Sequence, residues 1–462
     1  VSEGSRGRDP GAAAVAGEPE SGRRPAVEAH RRSAAACERD LRAEPNSVAA
    51  HRGLALALAR EGRMEEALGL WRAELGRPGG AEWASATLIR AMEEPSLAAA
   101  GAYAELIGRL RWGALRKPGG EENPEIEGVG QPPAYLSRSK LKHDIEQLEY
   151  LRSQAVLGSG DEGLIDAYRG ALGRLDTGGP DRRRAPTAQD QEEIGGVYGR
   201  LFNVRETPRA ERALSDGWDP RAVEREYLDN PPGVVVVDDV LSPDSLEALR
   251  AFCLESTVWS GNHYAHGRLG AFFESGFNCP LLLQIAEEFR DALPGVIGER
   301  HPLRQLWGFK SGPSLPADST VHADFAAVNV NLWITPAEAN LDPSGGGLVV
   351  YELSAPLDWD FDRYNNRLDA IQDYLRRNGA KRRRIPYREN RALIFNSDLF
   401  HATDEVRFGP DYEHRRINVT MLYGNREQDQ QRPHPAGEGI GPEPEVSPWR
   451  SAAFSRLRHS AP

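Results

Sequence analysis

Residues 416–423, Arg-Ile-Asn-Val-Thr-Met-Leu-Tyr, alternate polar and apolar side chains with a period of two. That period is a β-strand's, because successive side chains leave a pleated backbone on opposite faces. Arg416, Asn418 and Thr420 share one face, and Ile417, Val419 and Met421 share the other. The apolar row needs a core. The polar row, led by an arginine, suits the interior wall of a barrel. A guanidinium inside a protein needs an anion, and a carboxylate taken in bidentate fashion is its best geometric match.

The strand belongs to a region of like texture. Pro231-Pro-Gly-Val-Val-Val-Val-Asp-Asp-Val-Leu, followed by Ser242-Pro-Asp-Ser-Leu-Glu-Ala-Leu-Arg, reads as a strand, a capped turn and a helix. Further strands are predicted at 304–310, 327–335, 346–352, 391–396 and 415–423, with helices near 281–292 and 364–378. Upstream, periodicity is helical. Residues 44–71 resemble one tetratricopeptide repeat: Pro45-Asn46 opens it, Ala50, Leu54 and Leu58 form a face, Gly62 turns the chain, and Ala67, Leu68 and Trp71 lie on a second helix. Small residues at Gly53 and Ala57 suit close helix approach. Degenerate copies fit at 28–43 and 81–110, and a plain helical hairpin fits equally well. Stripes at Leu141, Ile145, Leu148 and Leu151, then at Leu164, Tyr168, Leu172 and Leu175, indicate two more helices, and a short one is predicted at 188–202.

The organisation expected is therefore a disordered arm (1–30), a tetratricopeptide-like helical region (31–115), a linker rich in Pro, Gly and acid (116–136), a helical connecting region (137–230), a β-rich domain (231–424) and a Pro-rich tail (425–462) in which Trp449 and Phe454 can pin back onto the body. A chain of 462 residues has room for two or three domains, and 39% hydrophobic content leaves room for tails and linkers. A formal net charge of −12 argues against a general nucleic-acid or anionic-membrane binder. No apolar run approaches the roughly 20 residues of a membrane span, and the first 30 residues carry no apolar signal core. Three scattered cysteines, Cys37, Cys253 and Cys279, make no disulfide framework, so a reducing, cytoplasmic setting is expected. Val1 fits an alternative initiation codon or a fragment.

The chemistry is concentrated at His322-Ala-Asp324. On extended backbone, residues i and i+2 point the same way, so this piece offers an imidazole and a carboxylate together. His401, in Asn396-Ser-Asp-Leu-Phe-His, is the best third ligand, with an insert at about 355–388 between. Two histidines and one carboxylate leave open positions on a metal, which suits non-haem Fe(II) oxygen chemistry. Arg416 follows fifteen residues after His401. Trp307-Gly-Phe-Lys310 offers aromatic and cationic lining, and Asn329, Asn331 and Asn418 are candidates for the mouth. Gly345-Gly-Gly347 precedes a strand rather than a helix and reads as a turn, not a phosphate loop. His263 and His266 read as a loop near the entrance, solvated or substrate-lining. Lys381-Arg-Arg-Arg384 reads as a solvated loop or a contact for an acidic substrate. His143-Asp144 has no shared helix face and carries no catalytic weight.

Taken together, His322-x-Asp324, His401 and Arg416-x-Asn418-x-Thr420 make region 231–424 resemble the Fe(II)- and 2-oxoglutarate-dependent dioxygenases, in particular the phytanoyl-CoA hydroxylase and DNA-alkylation-repair branches. A helical region before the domain resembles the prolyl hydroxylases. Arginine rather than lysine at the anion position, and the length of the insert, depart from the animal prolyl 4-hydroxylases. The fold implied is multidomain α + β: the tetratricopeptide-like helices, then a double-stranded β-helix (jelly roll) with flanking helices. The resemblance implies that His322, Asp324 and His401 hold Fe(II), and that Arg416, with Asn418 and Asn331 beside it, holds 2-oxoglutarate. O2 is the second co-substrate, and ascorbate a candidate accessory reductant. Hydroxylation of a C–H bond with release of succinate and CO2 is the implied reaction, and demethylation uses the same attack. Halogenation is disfavoured, since the carboxylate ligand is present. A protein or peptide side chain, presented through the helical region, is favoured as substrate over a small molecule. Two other readings stand beside this one: a tetratricopeptide-type interaction scaffold with an inactive jelly roll, and a cupin-like metalloenzyme that does not use 2-oxoglutarate.

Overall fold

The computed structural model describes residues 33–75, 77, 79–93, 96–112, 135–157, 162–175, 179–317 and 320–426. The expected arm (1–30), nearly all of the linker (116–136) and the tail beyond Arg426 lie outside the described residues. The described chain falls into two compact units, one ending at Glu74 and the other beginning at Leu75.

In the first unit, helices α1 (Ala34–Ala43), α2 (Val48–Arg60) and α3 (Met64–Leu75) follow one another through short turns. Ser33 and Ser47 cap the first two by accepting the Ala36 and Ala50 backbone N–H groups. Gly62, at φ +75°, makes the turn into α3. Ala50, Leu54, Leu58, Ala67, Leu68 and Trp71 are all buried, the faces the periodicity predicts. A Cβ on Gly53 would lie 3.2 Å from Cys37 Sγ, so the small residue does permit close approach of α2 to α1.

The second unit begins with α4 (Gly80–Glu93) and α5 (Ala98–Trp112), which belong with the sheets. The Leu97 backbone N–H donates to Glu287 Oε1 at 2.6 Å, and Gly101 sits so close to Leu283 that a Cβ would meet it at 2.5 Å. Strand β1 (Leu136–Ser137), α6 (Arg138–Ser153), α7 (Glu162–Gly173), β2 (Arg183–Arg184) and α8 (Ala188–Ile194) follow. The last helix stops before the predicted 202 because Gly195-Gly196 ends it. Helix α9 (Pro220–Asp229), N-capped by Asp219, was not predicted.

Among the described residues, the rest is built on a six-stranded and a three-stranded antiparallel sheet with a separate two-stranded ribbon. The larger has the order β3 (Val234–Val237), β10 (Arg391–Asn396), β7 (Val328–Trp333), β13 (Ile417–Tyr423), β5 (Leu303–Lys310) and β4 (Leu269–Phe272). The smaller has the order β11 (Leu399–Thr403), β8 (Leu348–Ser354) and β9 (Arg382–Ile385), while β6 (Ser314–Leu315) pairs with β12 (Val406–Arg407). Trp333, Leu393 and Phe395 of the larger sheet pack with Leu348, Val350, Ile385 and Leu399 of the smaller one, so both sheets share one core. Helices α10 (Pro243–Glu255, capped by Ser242) and α11 (Pro280–Ala292) flank them. The predicted insert carries α12 (Leu368–Arg377). Its Trp359, Tyr364, Ile371 and Leu375 join Val349, Tyr351 and Phe400 in a second core.

Lys381-Arg-Arg-Arg384 is not a loop: Arg382–Ile385 is the β9 edge strand, paired to β8. Ile385 plugs the core, Arg383 Nη1 donates to Val234 O at 3.0 Å, and Arg384 pairs with Asp404 at 2.8 Å. Charged side chains on a sheet edge discourage pairing with another chain.

Candidate metal centre

Asp324 and both candidate histidines come together. Residues 321–324 run beside β11: His322 and His401 exchange backbone hydrogen bonds of 3.0 and 2.8 Å, and the Asp324 N–H donates to Ser397 O at 3.1 Å. That pairing brings the two histidines side by side, with ring centroids 4.5 Å apart. Alternation along 322–324 turns Asp324 to the same side. His401 Nε2 lies 3.4 Å from Asp324 Oδ2, and His322 Nε2 lies 3.8 Å from Oδ1. One ligand atom from each residue falls within 4.8 Å of the others, and no other group of three His, Cys, Asp or Glu among the described residues does so.

The hydrogen bonds behind these atoms fix their chemistry. His322 Nδ1 sits 2.6 Å from Thr320 O, and His401 Nδ1 sits 3.0 Å from Leu399 O. A carbonyl only accepts, so each Nδ1 carries the proton and each Nε2 presents a lone pair. Burial, with the neighbouring His401, lowers the His322 pKa to about 4, so this imidazole is neutral near pH 7 as a ligand must be. Burial alone would raise the Asp324 carboxyl; the neighbouring His401, with further help from His322 and Asn329, holds it below its ordinary value. Two imidazoles and one carboxylate, all oriented from behind, form a donor set that fits a divalent ion, with one ligand atom from each within 4.8 Å of the others.

A polar chain leads away from Asp324 along the inner face of the larger sheet. Asn329 Nδ2 donates to Asp324 Oδ2 (2.6 Å), Asn331 Nδ2 to Asn329 Oδ1 (2.6 Å), and both Asn418 Nδ2 and Thr420 Oγ1 to Asn331 Oδ1 (2.9 Å each). Trp333 Nε1 closes it by donating to Asn418 Oδ1 (2.7 Å). The register makes this possible, since Asn331 stands opposite Thr420 and Trp333 opposite Asn418. Asn329→Ala removes the donor that orients Asp324. The expected result is a roughly ten- to hundredfold weaker metal affinity with the fold retained, read by metal titration and circular dichroism.

Arg416 heads the polar row and is 2% exposed. Nε donates to Gly346 O at 2.6 Å and Nη2 to Gly347 O at 3.3 Å, while the guanidinium lies 5.7 Å from the Trp333 ring and 5.9 Å from the Tyr387 ring. Among the described residues no carboxylate lies within ion-pair distance of it. Asp404, which acts on it through space, is already paired to Arg384. Burial lowers the Arg416 pKa to about 10, still protonated at neutral pH. A buried cation without a counter-ion is costly unless an anion is bound. The Gly345–Gly347 turn thus acquires a role that sequence reasoning did not give it: its carbonyls aim the guanidinium. A Cβ on Gly347 would stand 2.0 Å from Ile385 O, against backbone that cannot swing away. Gly347→Ala is expected to cost about 1–3 kcal/mol of stability, seen as a lowered Tm.

Trp307 and Phe309 of β5 line the same pocket as the triad and Arg416. Lys310 does not, contrary to expectation. It is fully buried on the opposite face of the strand, where Nζ donates to Cys253 O (3.0 Å) and Tyr412 Oη (2.9 Å) beside the Trp259 ring. His143 and Asp144 also differ from expectation: His143 Nδ1 and Asp144 Oδ1 are 3.0 Å apart, and Lys140 Nζ donates to both Asp144 oxygens. That cluster lies apart from the pocket. His263 is exposed, and neither it nor His266 lines the pocket. Arg268, which follows them, does line it and was missed.

No family model and no curated protein matches the chain. Solved structures do. The non-heme alpha ketoglutarate dependent carbocyclase SnoK from nogalamycin biosynthesis is 16% identical, over 50% of this chain and 97% of that one, with a TM-score of 0.33. EctD from S. alaskensis with bound Fe is 14% identical over 48% and 84%, with a TM-score of 0.31. A Pseudomonas putida prolyl-4-hydroxylase is 13% identical over 45% and 99%, with a TM-score of 0.28. TM-scores this low leave the functional argument to the side chains.

Proposed function

We propose that the protein is an Fe(II)- and 2-oxoglutarate-dependent oxygenase whose two sheets form a double-stranded β-helix, and that it hydroxylates a C–H bond. The observation that carries this reading is the meeting, in one pocket, of the His322–Asp324–His401 cluster with a buried guanidinium that has no counter-anion among the described residues. His322 Nε2, His401 Nε2 and an Asp324 oxygen would hold the metal, and Arg416 would hold the distal carboxylate of 2-oxoglutarate. When bound, ferrous iron couples O2 reduction to the oxidative decarboxylation of 2-oxoglutarate. The reaction balances as substrate C–H, 2-oxoglutarate and O2 giving substrate C–OH, succinate and CO2.

The chain's own residues orient and exclude water. Thr320 and Leu399 carbonyls keep both Nε2 atoms free of protons. The Asn329–Asn331–Asn418 chain keeps Asp324 in one rotamer. Gly346 and Gly347 carbonyls hold Arg416 against Trp333 and Tyr387, where its charge acts in a low-dielectric setting. Trp307 and Phe309 supply an apolar wall. The test is succinate formation from 2-oxoglutarate by the full chain with Fe(II), O2 and ascorbate. Turnover that chelation abolishes and Fe(II) restores is the expected result, and no Fe(II)-dependent succinate at any 2-oxoglutarate concentration would overturn the reading.

A further inference from the structure

The pocket contains one more cation than the co-substrate uses. Ferrous iron, the Asp324 carboxylate, the Arg416 guanidinium and the 2-oxoglutarate dianion sum to zero formal charge. Arg268 lines the same pocket and leaves one positive charge unbalanced. Among the described residues it makes no ion pair. Its guanidinium lies 5.4 Å from the Phe309 ring, and its Nε is buried without a hydrogen-bond partner. His322, the most open of the three cluster residues at 29% exposed against 5% for the other two, lines the same pocket as Arg268.

Arg268 is also held in place. Gly267, at φ +70°, donates its N–H to Asp181 Oδ1 at 3.0 Å, and a Cβ there would lie 2.8 Å from Ser139 Cβ and 2.9 Å from Pro180 Cβ. Gly261 and Gly270 exchange backbone hydrogen bonds of 2.9 and 2.7 Å that close the loop. The 137–184 segment therefore clamps the loop, and β4 carries on from Arg268 into the sheet edge. An arginine on a clamped backbone, with no ion pair among the described residues and a guanidinium beside an aromatic wall, is a recognition element for an anion with an apolar body.

We propose that Arg268 is the substrate-anchoring residue, and that the molecule oxidised carries a carboxylate or a phosphate next to an apolar or aromatic portion. This rests on the oxygenase reading above and adds the substrate class to it. The experiment is calorimetric titration of phenylacetate, benzyl phosphate and the neutral phenylacetamide into the full chain. It is run anaerobically with Fe(II) and saturating 2-oxoglutarate, and again on metal-free protein. Binding of phenylacetate or benzyl phosphate, at least about tenfold tighter than phenylacetamide, is expected, and whichever anion binds more tightly names the source. Arg268→Gln should lose that preference while its 2-oxoglutarate affinity stays within about twofold. Arg268→Lys, which keeps the charge, should recover part of it, and Arg416→Gln should show the converse pattern. The proposal is overturned if no anion is preferred, if Arg268→Gln leaves the preference intact, or if Arg268→Gln weakens 2-oxoglutarate as much as Arg416→Gln does. Arg268-dependent anion binding to metal-free protein, with no 2-oxoglutarate binding in any state, would instead retain the anion site and remove the oxygenase reading.

Discussion

Asp324→Ala is expected to abolish ferrous binding at any practical concentration and to bring succinate formation down to background. Asp324 is the anionic member of the cluster, and both its oxygens face an imidazole nitrogen. Without it, two imidazoles remain to hold a divalent ion. The loss should exceed the roughly ten- to hundredfold effect of disturbing an outer hydrogen bond such as that of Asn329. The fold should persist, because the carboxylate's neighbours are polar side chains of a pocket rather than core. The exposed penalty is the orphaned Asn329 amide, about 1–3 kcal/mol. Metal titration and a thermal melt on the same sample separate the two effects. A variant that melts normally and still turns over would remove Asp324 from the metal centre.

Arg416→Gln should raise the 2-oxoglutarate requirement roughly ten- to hundredfold, the worth of hydrogen bonds to a charged group, while ferrous affinity stays within about threefold. The guanidinium is buried and lacks an ion pair among the described residues, yet two backbone carbonyls aim it into the pocket. It touches none of the three cluster residues. Saturation curves for 2-oxoglutarate, with iron held in excess, read the difference. Unchanged 2-oxoglutarate dependence would favour a cupin-like metalloenzyme that does not use the keto acid. Equal loss of iron and 2-oxoglutarate would mean a collapsed pocket.

Much of this site was legible in the sequence because it is written in strand alternation. The period of two in 416–423 set Arg416, Asn418 and Thr420 on one wall, and the same rule placed Asn329 and Asn331 together. His401 was harder, since its partner His322 is brought alongside by an isolated bridge rather than by a long ladder. The Lys310 error came from not carrying alternation through: if Trp307 and Phe309 face inward, Lys310 cannot. The arginines at 382–384 were misread because charge suggests a loop, whereas an edge strand tolerates charge on its free side. His143 and Asp144 meet although they are helix neighbours, because Lys140 fixes the carboxylate and burial leaves the ring no water to turn to. Arg268 had no local signal. Its place depends on the short, glycine-containing β4 pairing with β5 and on contacts with Ser139, Pro180 and Asp181 far away in the chain. Such a position is decided by tertiary structure alone.

The central claim is that His322, Asp324 and His401 grip one ferrous ion to which 2-oxoglutarate then chelates, steered by Arg416. Anaerobic titration of the metal-loaded protein with 2-oxoglutarate, followed by visible absorption, tests it most directly. A saturable metal-to-ligand charge-transfer band that is absent from Asp324→Ala, and displaced to higher 2-oxoglutarate in Arg416→Gln, is the predicted result. A wild-type protein that binds iron at this cluster yet develops no such band would contradict the account.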